Sequence, residues 1–286
     1  MSDWTAIELV ARTESYFKSR SVESPRLSAE LLLGLCLDLD RVELYLNHDR
    51  PLDSRELDRF RELVRRRARN EPIAYITGKK GFWEHEFSVK PGVLIPRPDT
   101  EALVENALAV FDEAGFANGG TGRILELGCG SGAVIVSLAA ARPGHEFFAA
   151  DCSETAVDVT RANSEAILSE NRVRVVQGSW LDPFRKGGAF DMIICNPPYV
   201  RTSEMKILSP QIKEYEPARA LDAGDDGLDS IREIVAGACD YLADGGTLLI
   251  EIGHDQKEAV LRVVRSSSGY EKPVFERDLA GHFRVA

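Results

Sequence analysis

The chain has 286 residues, 44% hydrophobic and 28% charged, enough apolar material for one large domain, or for a large and a small one. Its five cysteines, Cys36, Cys129, Cys152, Cys195 and Cys239, form no C-x-x-C pair; they argue for a reducing compartment, the cytoplasm, and against disulfides or a zinc site. Met1-Ser2-Asp3-Trp4-Thr5 carries no leader pattern and no apolar run reaches about eighteen residues, so neither secretion nor a membrane is expected. The net charge of −11 is uneven: residues 1–85 hold 15 basic and 15 acidic residues, leaving 20 basic against 31 acidic beyond. That field repels nucleic acid, and no direct nucleic-acid partner is expected.

Residues 1–72 read as short amphipathic helices, with Leu31, Leu32, Leu35 and Leu39, then Leu57, Phe60 and Val64, at helical spacing. Asp53 and Ser54 are candidate caps for the last of them. Its arginines, Arg61, Arg65, Arg66, Arg67 and Arg69, interleave with Glu56, Asp58 and Glu62 and read as a solvated face. Residues 73–98 form a connector in which Phe82 to Val89 predicts a hairpin. Pro96 and Pro98 exclude helix interior, and Asp99 and Thr100 are candidate caps for a helix to about Ala114.

Beyond Gly122 strands and helices alternate. Strands are expected at Arg123–Leu127, Glu146–Ala150, Val173–Gln177, Phe190–Cys195 and Thr247–Ile252, and helices at Ala133–Ala141, Thr155–Leu168, Leu228–Leu242 and Gln256–Ser268, with two further strands at the C-terminal end. The fold class is therefore α/β, a mostly parallel sheet covered on both faces, over residues 99–286.

Two loops in this region carry chemistry. Gly128-Cys129-Gly130-Ser131-Gly132 joins the first strand to its helix, where glycines let backbone approach a ligand at the helix N-terminus. Asp151 ends the next strand, 23 residues beyond Gly128, where a carboxylate can accept bonds from a ribose diol. This spacing alone fits both S-adenosylmethionine and a nicotinamide dinucleotide. Glu126, two residues before the first glycine, favours the former. Cys129 and Cys195 read as small packing residues, and Trp180 as a candidate edge for adenine or a core filler.

The second loop, Asn196-Pro197-Pro198-Tyr199, follows the apolar run Phe190–Cys195. An amide or ring-amine nitrogen is a poor nucleophile because its lone pair is delocalised. The Asn196 side-chain oxygen and the Pro197 carbonyl can each accept one of its N–H bonds and hold it in the attacking geometry. Pro197 and Pro198 stiffen the loop, and Tyr199 can cover a flat group. This cradle favours S-adenosylmethionine, with no metal, and Asn196 itself borders the methyl donor. From the residues alone, the acceptor is an amide or amino nitrogen, nucleobase or protein.

These motifs, with Glu71 to Gly78, Val93 to Glu101, Tyr215 to Leu221, Asp226 to Asp229, Leu249 to Gly253 and Asp278 to Gly281, resemble those of the protein-(glutamine) methyltransferases that modify peptide-chain release factors, the PrmC/HemK family. The resemblance implies a class I S-adenosylmethionine-dependent methyltransferase domain, Rossmann-like with a seven-stranded sheet, and a small N-terminal helical domain that docks the release factor. It implies methylation of the glutamine amide of a Gly-Gly-Gln tripeptide. Gly128 to Gly132, Asp151 and Trp180 would hold the methyl donor, and Asn196 to Tyr199 the glutamine. Ser179 and Asp99 stand where many members have an acidic residue and a Glu. The rivals are an adenine-N6 nucleic-acid methyltransferase, a nicotinamide oxidoreductase and a non-catalytic module binding release factors.

Overall fold

The computed structural model describes residues 4–113, 120–169 and 173–286. In chain order its elements are α1 (Ala6–Ser19), α2 (Pro25–Leu37), α3 (Arg41–Leu46), α4 (Ser54–Ala68), α5 (Ile73–Thr77), β1 (Lys79–Phe82), β2 (His85–Ser88), α6 (Glu101–Glu113), β3 (Arg123–Leu127), α7 (Ala133–Ala141), β4 (Glu146–Asp151), α8 (Glu154–Ile167), β5 (Arg174–Gln177), β6 (Phe190–Cys195), α9 (Pro210–Tyr215), α10 (Asp229–Ala238), β7 (Leu242–Ile250), α11 (Lys257–Ser266), β8 (Glu276–Arg277) and β9 (Phe283–Val285). They fall into two units: Met1–Lys79 with Ser209–Tyr215, and Lys80–Leu208 with Glu216–Ala286. The end expected for α6, near Ala114, lies outside the described residues. No described helix is long and apolar enough to cross a membrane.

In the first unit α4 begins with a reciprocal cap. Asp53 Oδ1 accepts the Glu56 N–H at 2.8 Å, and Glu56 Oε2 accepts the Asp53 N–H at 3.0 Å, so two helix-end donors are satisfied at once. Asp40 and Glu43 repeat the device at α3. Phe17, Leu32, Leu33, Leu57, Phe60 and Leu63 pack into one core behind these caps.

The arginines of α4 do not all face solvent. Arg61, Arg65 and Arg66 pair with Asp58, Glu62 and Glu71, but Arg67 is only 3% exposed. It lies four residues after Leu63 and seven after Phe60, so helical geometry turns it onto the core face. There its guanidinium donates to the carbonyls of Glu71 and Glu23 at 3.0 and 3.2 Å and to Gln211 Oε1 at 3.3 Å. Removing it strands those acceptors. Arg67→Ala is expected to cost the first unit about 2–4 kcal/mol, read as a lower urea midpoint by circular dichroism, while Arg61→Ala leaves the midpoint in place.

The second unit is built on a parallel sheet in the order β5-β4-β3-β6-β7. Its central strands read as unbroken apolar runs because both faces are covered: Ile124, Leu125 and Leu127 of β3, and Met192 to Cys195 of β6, are fully buried. Ile124, Met192 and Ile194 meet α6, α7 and α8 through Leu103, Ile135 and Val157. Leu125, Ile193 and Ile250 meet α10 and α11 through Ile231, Ile234 and Val260. From β3 the chain steps outward to β4 and β5, then returns to the other side of β3 as β6. Leu127 and Cys195, the last residues of β3 and β6, therefore stand side by side where the strand order reverses. Loops diverge at such a point and open a ligand crevice.

Among the described residues the continuous sheet has five strands rather than the seven the resemblance implied. β8 and β9 are two and three residues long and form a separate antiparallel ladder. Strand β9 touches only the end of β7, through a Glu251–Val285 bridge and reciprocal 2.9 Å bonds between Ile250 and Ala286. Helix α10 also stops at Ala238, and β7 starts at Leu242 rather than Thr247, because Leu242 pairs with Phe190 across a register shift.

Candidate functional site

The glycine loop is fastened to its neighbours by backbone. Gly128 and Cys129 both donate to the Ala150 carbonyl, at 2.8 and 3.1 Å, and Gly132 donates to Cys129 O at 2.7 Å. Gly132 has φ +77°, and a Cβ there would lie 2.7 Å from Thr160 Cγ2. Close packing against α8 and the left-handed backbone both demand glycine. From α8, Thr160 Oγ1 donates to the Gly130 carbonyl at 3.1 Å and Asn163 Nδ2 to the Ser131 carbonyl at 2.8 Å. Both side chains are buried. Sequence reasoning missed them, although a polar pair three residues apart among the apolar positions of a helix was the available signal.

Asp151 ends β4 facing the loop. Its Oδ2 accepts the Gly130 N–H at 2.9 Å and its Oδ1 accepts the Ser153 N–H at 2.8 Å. Each oxygen keeps acceptor capacity, and the residue lines the same cavity as the glycine loop. Glu126, 3% exposed, accepts the Ile135 N–H of α7 at 3.1 Å. Burial holds its carboxyl well above the usual carboxylate range, with Asp151 reinforcing and the Ile135 N–H opposing. Burial likewise pushes up the thiols of Cys129 and Cys195, which keeps both sulfurs protonated and fits packing roles.

The cavity, of about 200 Å³, is lined by Gly128, Cys129, Gly130, Ser131, Asp151, Ser179, Trp180, Asn196 and Pro198, among others. Trp180 has φ +41°, a backbone rarely tolerated by a bulky residue. Its ring lies against Gly128, where a Cβ would come within 3.3 Å of Cζ3. Gly132 stands behind this wall rather than in it.

Of the tetrapeptide after β6, Asn196 and Pro198 line the cavity, whereas Pro197 is buried. The Tyr199 hydroxyl turns inward and donates to Glu251 Oε1 at 3.2 Å. Asn196 Nδ2 donates to Thr100 Oγ1 at 3.1 Å, which leaves the side-chain oxygen as its free acceptor. Asp99 and Thr100, expected as helix caps, are spent on this site: Asp99 Oδ2 lies 3.0 Å from Arg284 Nη2. A second clamp holds the cavity wall, since Glu216 accepts the Ile95 N–H at 3.1 Å and bonds the Arg97 guanidinium. Arg97 and Arg219 line the cavity as well, and neither was expected from the sequence.

An open parallel sheet with a glycine loop and an Asn-Pro-Pro-Tyr loop at its switch point defines a methyltransferase fold. A crystal structure of a methyltransferase from Pyrococcus furiosus superposes with a TM-score of 0.50 over 77% of this chain and 95% of that one, at 20% identity. The chain also matches the PrmC N-terminal domain at residues 8–78 and the methyltransferase small domain at residues 105–214. It is 42% identical to a release factor glutamine methyltransferase of Geobacter sulfurreducens, over 90% of this chain and 87% of that one. It is 38% identical to one of Vibrio cholerae, over 97% and 93% respectively. The chain belongs to the release factor glutamine methyltransferase family.

The packing of Gly132 is directly testable. Gly132→Ala is expected to lower stability by about 1–3 kcal/mol, seen as a fall in melting temperature; an unchanged melting temperature would mean that α8 does not press on this loop.

Proposed function

We propose that the chain transfers a methyl group from S-adenosylmethionine to the side-chain amide nitrogen of the glutamine in the Gly-Gly-Gln tripeptide of class I peptide chain release factors. The observation that carries this reading is the juxtaposition of Gly128 and Asn196, which follow paired residues of β3 and β6 and line one cavity. Membership of the family supports the substrate.

The residues present fit the methyl donor. Gly128, Cys129, Gly130 and Ser131 form a backbone cradle into which no side chain intrudes at Gly130, and Gly132 supports it from behind against α8. Asp151 retains acceptor sites for a ribose diol after taking the Gly130 and Ser153 N–H groups. Trp180 supplies a flat wall for adenine, and Asn196 borders both ligands. When bound, the donor supplies an electrophilic methyl on a sulfonium.

The protein's own contribution is orientation. Thr100 holds the Asn196 amide nitrogen, so the Asn196 oxygen is presented as an acceptor, and the Pro197 carbonyl serves as the second. Together they take both N–H bonds of the incoming amide and direct its lone pair along the line of attack. No strong general base is required, because the methylated, protonated amide is acidic enough to release its proton to water. The first unit serves to dock the release factor, and the reaction belongs in the cytoplasm, where five free thiols persist.

Asn196→Ala removes one preorganised acceptor. With purified release factor and S-adenosylmethionine, turnover is expected to fall roughly 100-fold or more. A folded variant with near-normal turnover would remove Asn196 from the mechanism.

A further inference from the structure

We infer that Glu251 is a positioning residue that acts through Thr100 to set which end of the Asn196 side-chain amide faces the cavity. This rests on the reading of Asn196 as acceptor for the substrate amide.

Glu251 follows the last residue of β7, and its N–H donates to the Cys195 carbonyl at 2.9 Å. It therefore lies across the strand ends from Asn196. Its side chain is 0% exposed and lines no part of the cavity, so it reaches the substrate only through other groups. Oε1 accepts the Tyr199 hydroxyl at 3.2 Å. The Thr100 hydroxyl is close enough to influence the carboxyl but makes no hydrogen bond to it, and Oε2 is buried with no partner in hydrogen-bonding geometry among the described residues, so the carboxylate keeps an open acceptor beside Thr100. A buried carboxyl with an oxygen left over is costly, and nothing in packing a strand end requires one.

The direction of the hydrogen bonds explains its use. Thr100 has a single hydroxyl hydrogen and already accepts from Asn196 Nδ2 at 3.1 Å. An ionised Glu251 draws that hydrogen toward itself and leaves the Thr100 lone pairs for the Asn196 NH2 group, so Asn196 Oδ1 is turned to the substrate. A neutral Glu251 carries its own donor, competes for the Thr100 oxygen and frees the Thr100 hydrogen to bond Asn196 Oδ1. The amide then flips and presents NH2 to a substrate NH2, donor against donor. The two ends of the chain are anchored by rigid groups: Tyr199 follows two prolines, and Thr100 follows Asp99, which is tied to Arg284.

The charged and titratable groups around Glu251 are Arg284 and Asp99, with Tyr199 bonded to it and the Cys195 thiol adjacent on β6. Arg284 is itself held by Asp278 at 3.2 Å. Burial outweighs Arg284 and the two hydroxyls, Asp99 adds to it, and the Glu251 carboxyl is pushed up to about 7. Methyl transfer should therefore rise as pH rises through that value and Glu251 ionises.

The test compares the full-length wild type, Glu251→Gln, Thr100→Val, the double variant and Asn196→Ala, with release factor and S-adenosylmethionine, between about pH 5.5 and 9. Gln mimics the neutral acid, carrying a donor at one end. Glu251→Gln and Thr100→Val should each lower kcat about tenfold, and the double variant should be no worse than the worse single one. In Glu251→Gln the affinity for S-adenosylmethionine should stay within about twofold of wild type and the acid limb should vanish. Additive losses, an acid limb that persists, or a normal kcat in folded Glu251→Gln would overturn the role. If Glu251→Gln does not fold, a normal kcat in folded Thr100→Val does the same. Normal turnover in Asn196→Ala would instead refute the acceptor role on which the inference stands.

Discussion

Everything at the site depends on one topological constraint: in a parallel sheet whose strand order reverses, the carboxyl ends of β3 and β6 emerge together. Leu127 pairs with Cys195, so the next residues, Gly128 and Asn196, enter the same crevice although far apart in the chain. A donor loop and an acceptor loop on adjacent rigid strands need no flexible segment to meet. Since both strands are buried on two faces, packing fixes their register and with it the separation of the two loops.

Polar groups buried behind the loops do the finer placement. Thr160 and Asn163 hold the glycine loop from α8, Asp151 ties it to β4, and Glu216 clamps Ile95 and the cavity-lining Arg97. Around Asn196, Thr100 holds the side-chain amide and Tyr199 bonds the buried Glu251, with Arg284 nearby. Such networks stabilise little when compared with an apolar core, and removing one member strands the rest. Their value is geometric: each restrains a group whose orientation matters to a reacting nitrogen.

The alternation of strands and helices after Gly122 was legible because buried parallel strands are apolar throughout and the helices between them are periodic. Asn196 and the glycine loop were legible for a different reason: both mark strand ends with residues that strands avoid. The supporting residues were not. Thr160, Asn163, Glu216 and Glu251 acquire partners only from segments distant in sequence, and a lone Glu after an apolar strand carries no sign of burial. Arg67 misled for a related cause, since charge outweighed its position seven residues after Phe60, on the core face. The two C-terminal strands were legible as elements, but that β8 and β9 form a ladder of their own rather than the seven-stranded sheet the family resemblance implied was not, since pairing partners are not written in so short a pattern.

The measurement that bears most directly on this account is incubation of the protein with labelled S-adenosylmethionine and purified release factor, followed by mass mapping of the modified residue. The account predicts a single methyl group on the side-chain nitrogen of the Gly-Gly-Gln glutamine. Label in DNA or RNA, or on any other residue of the factor, would contradict it.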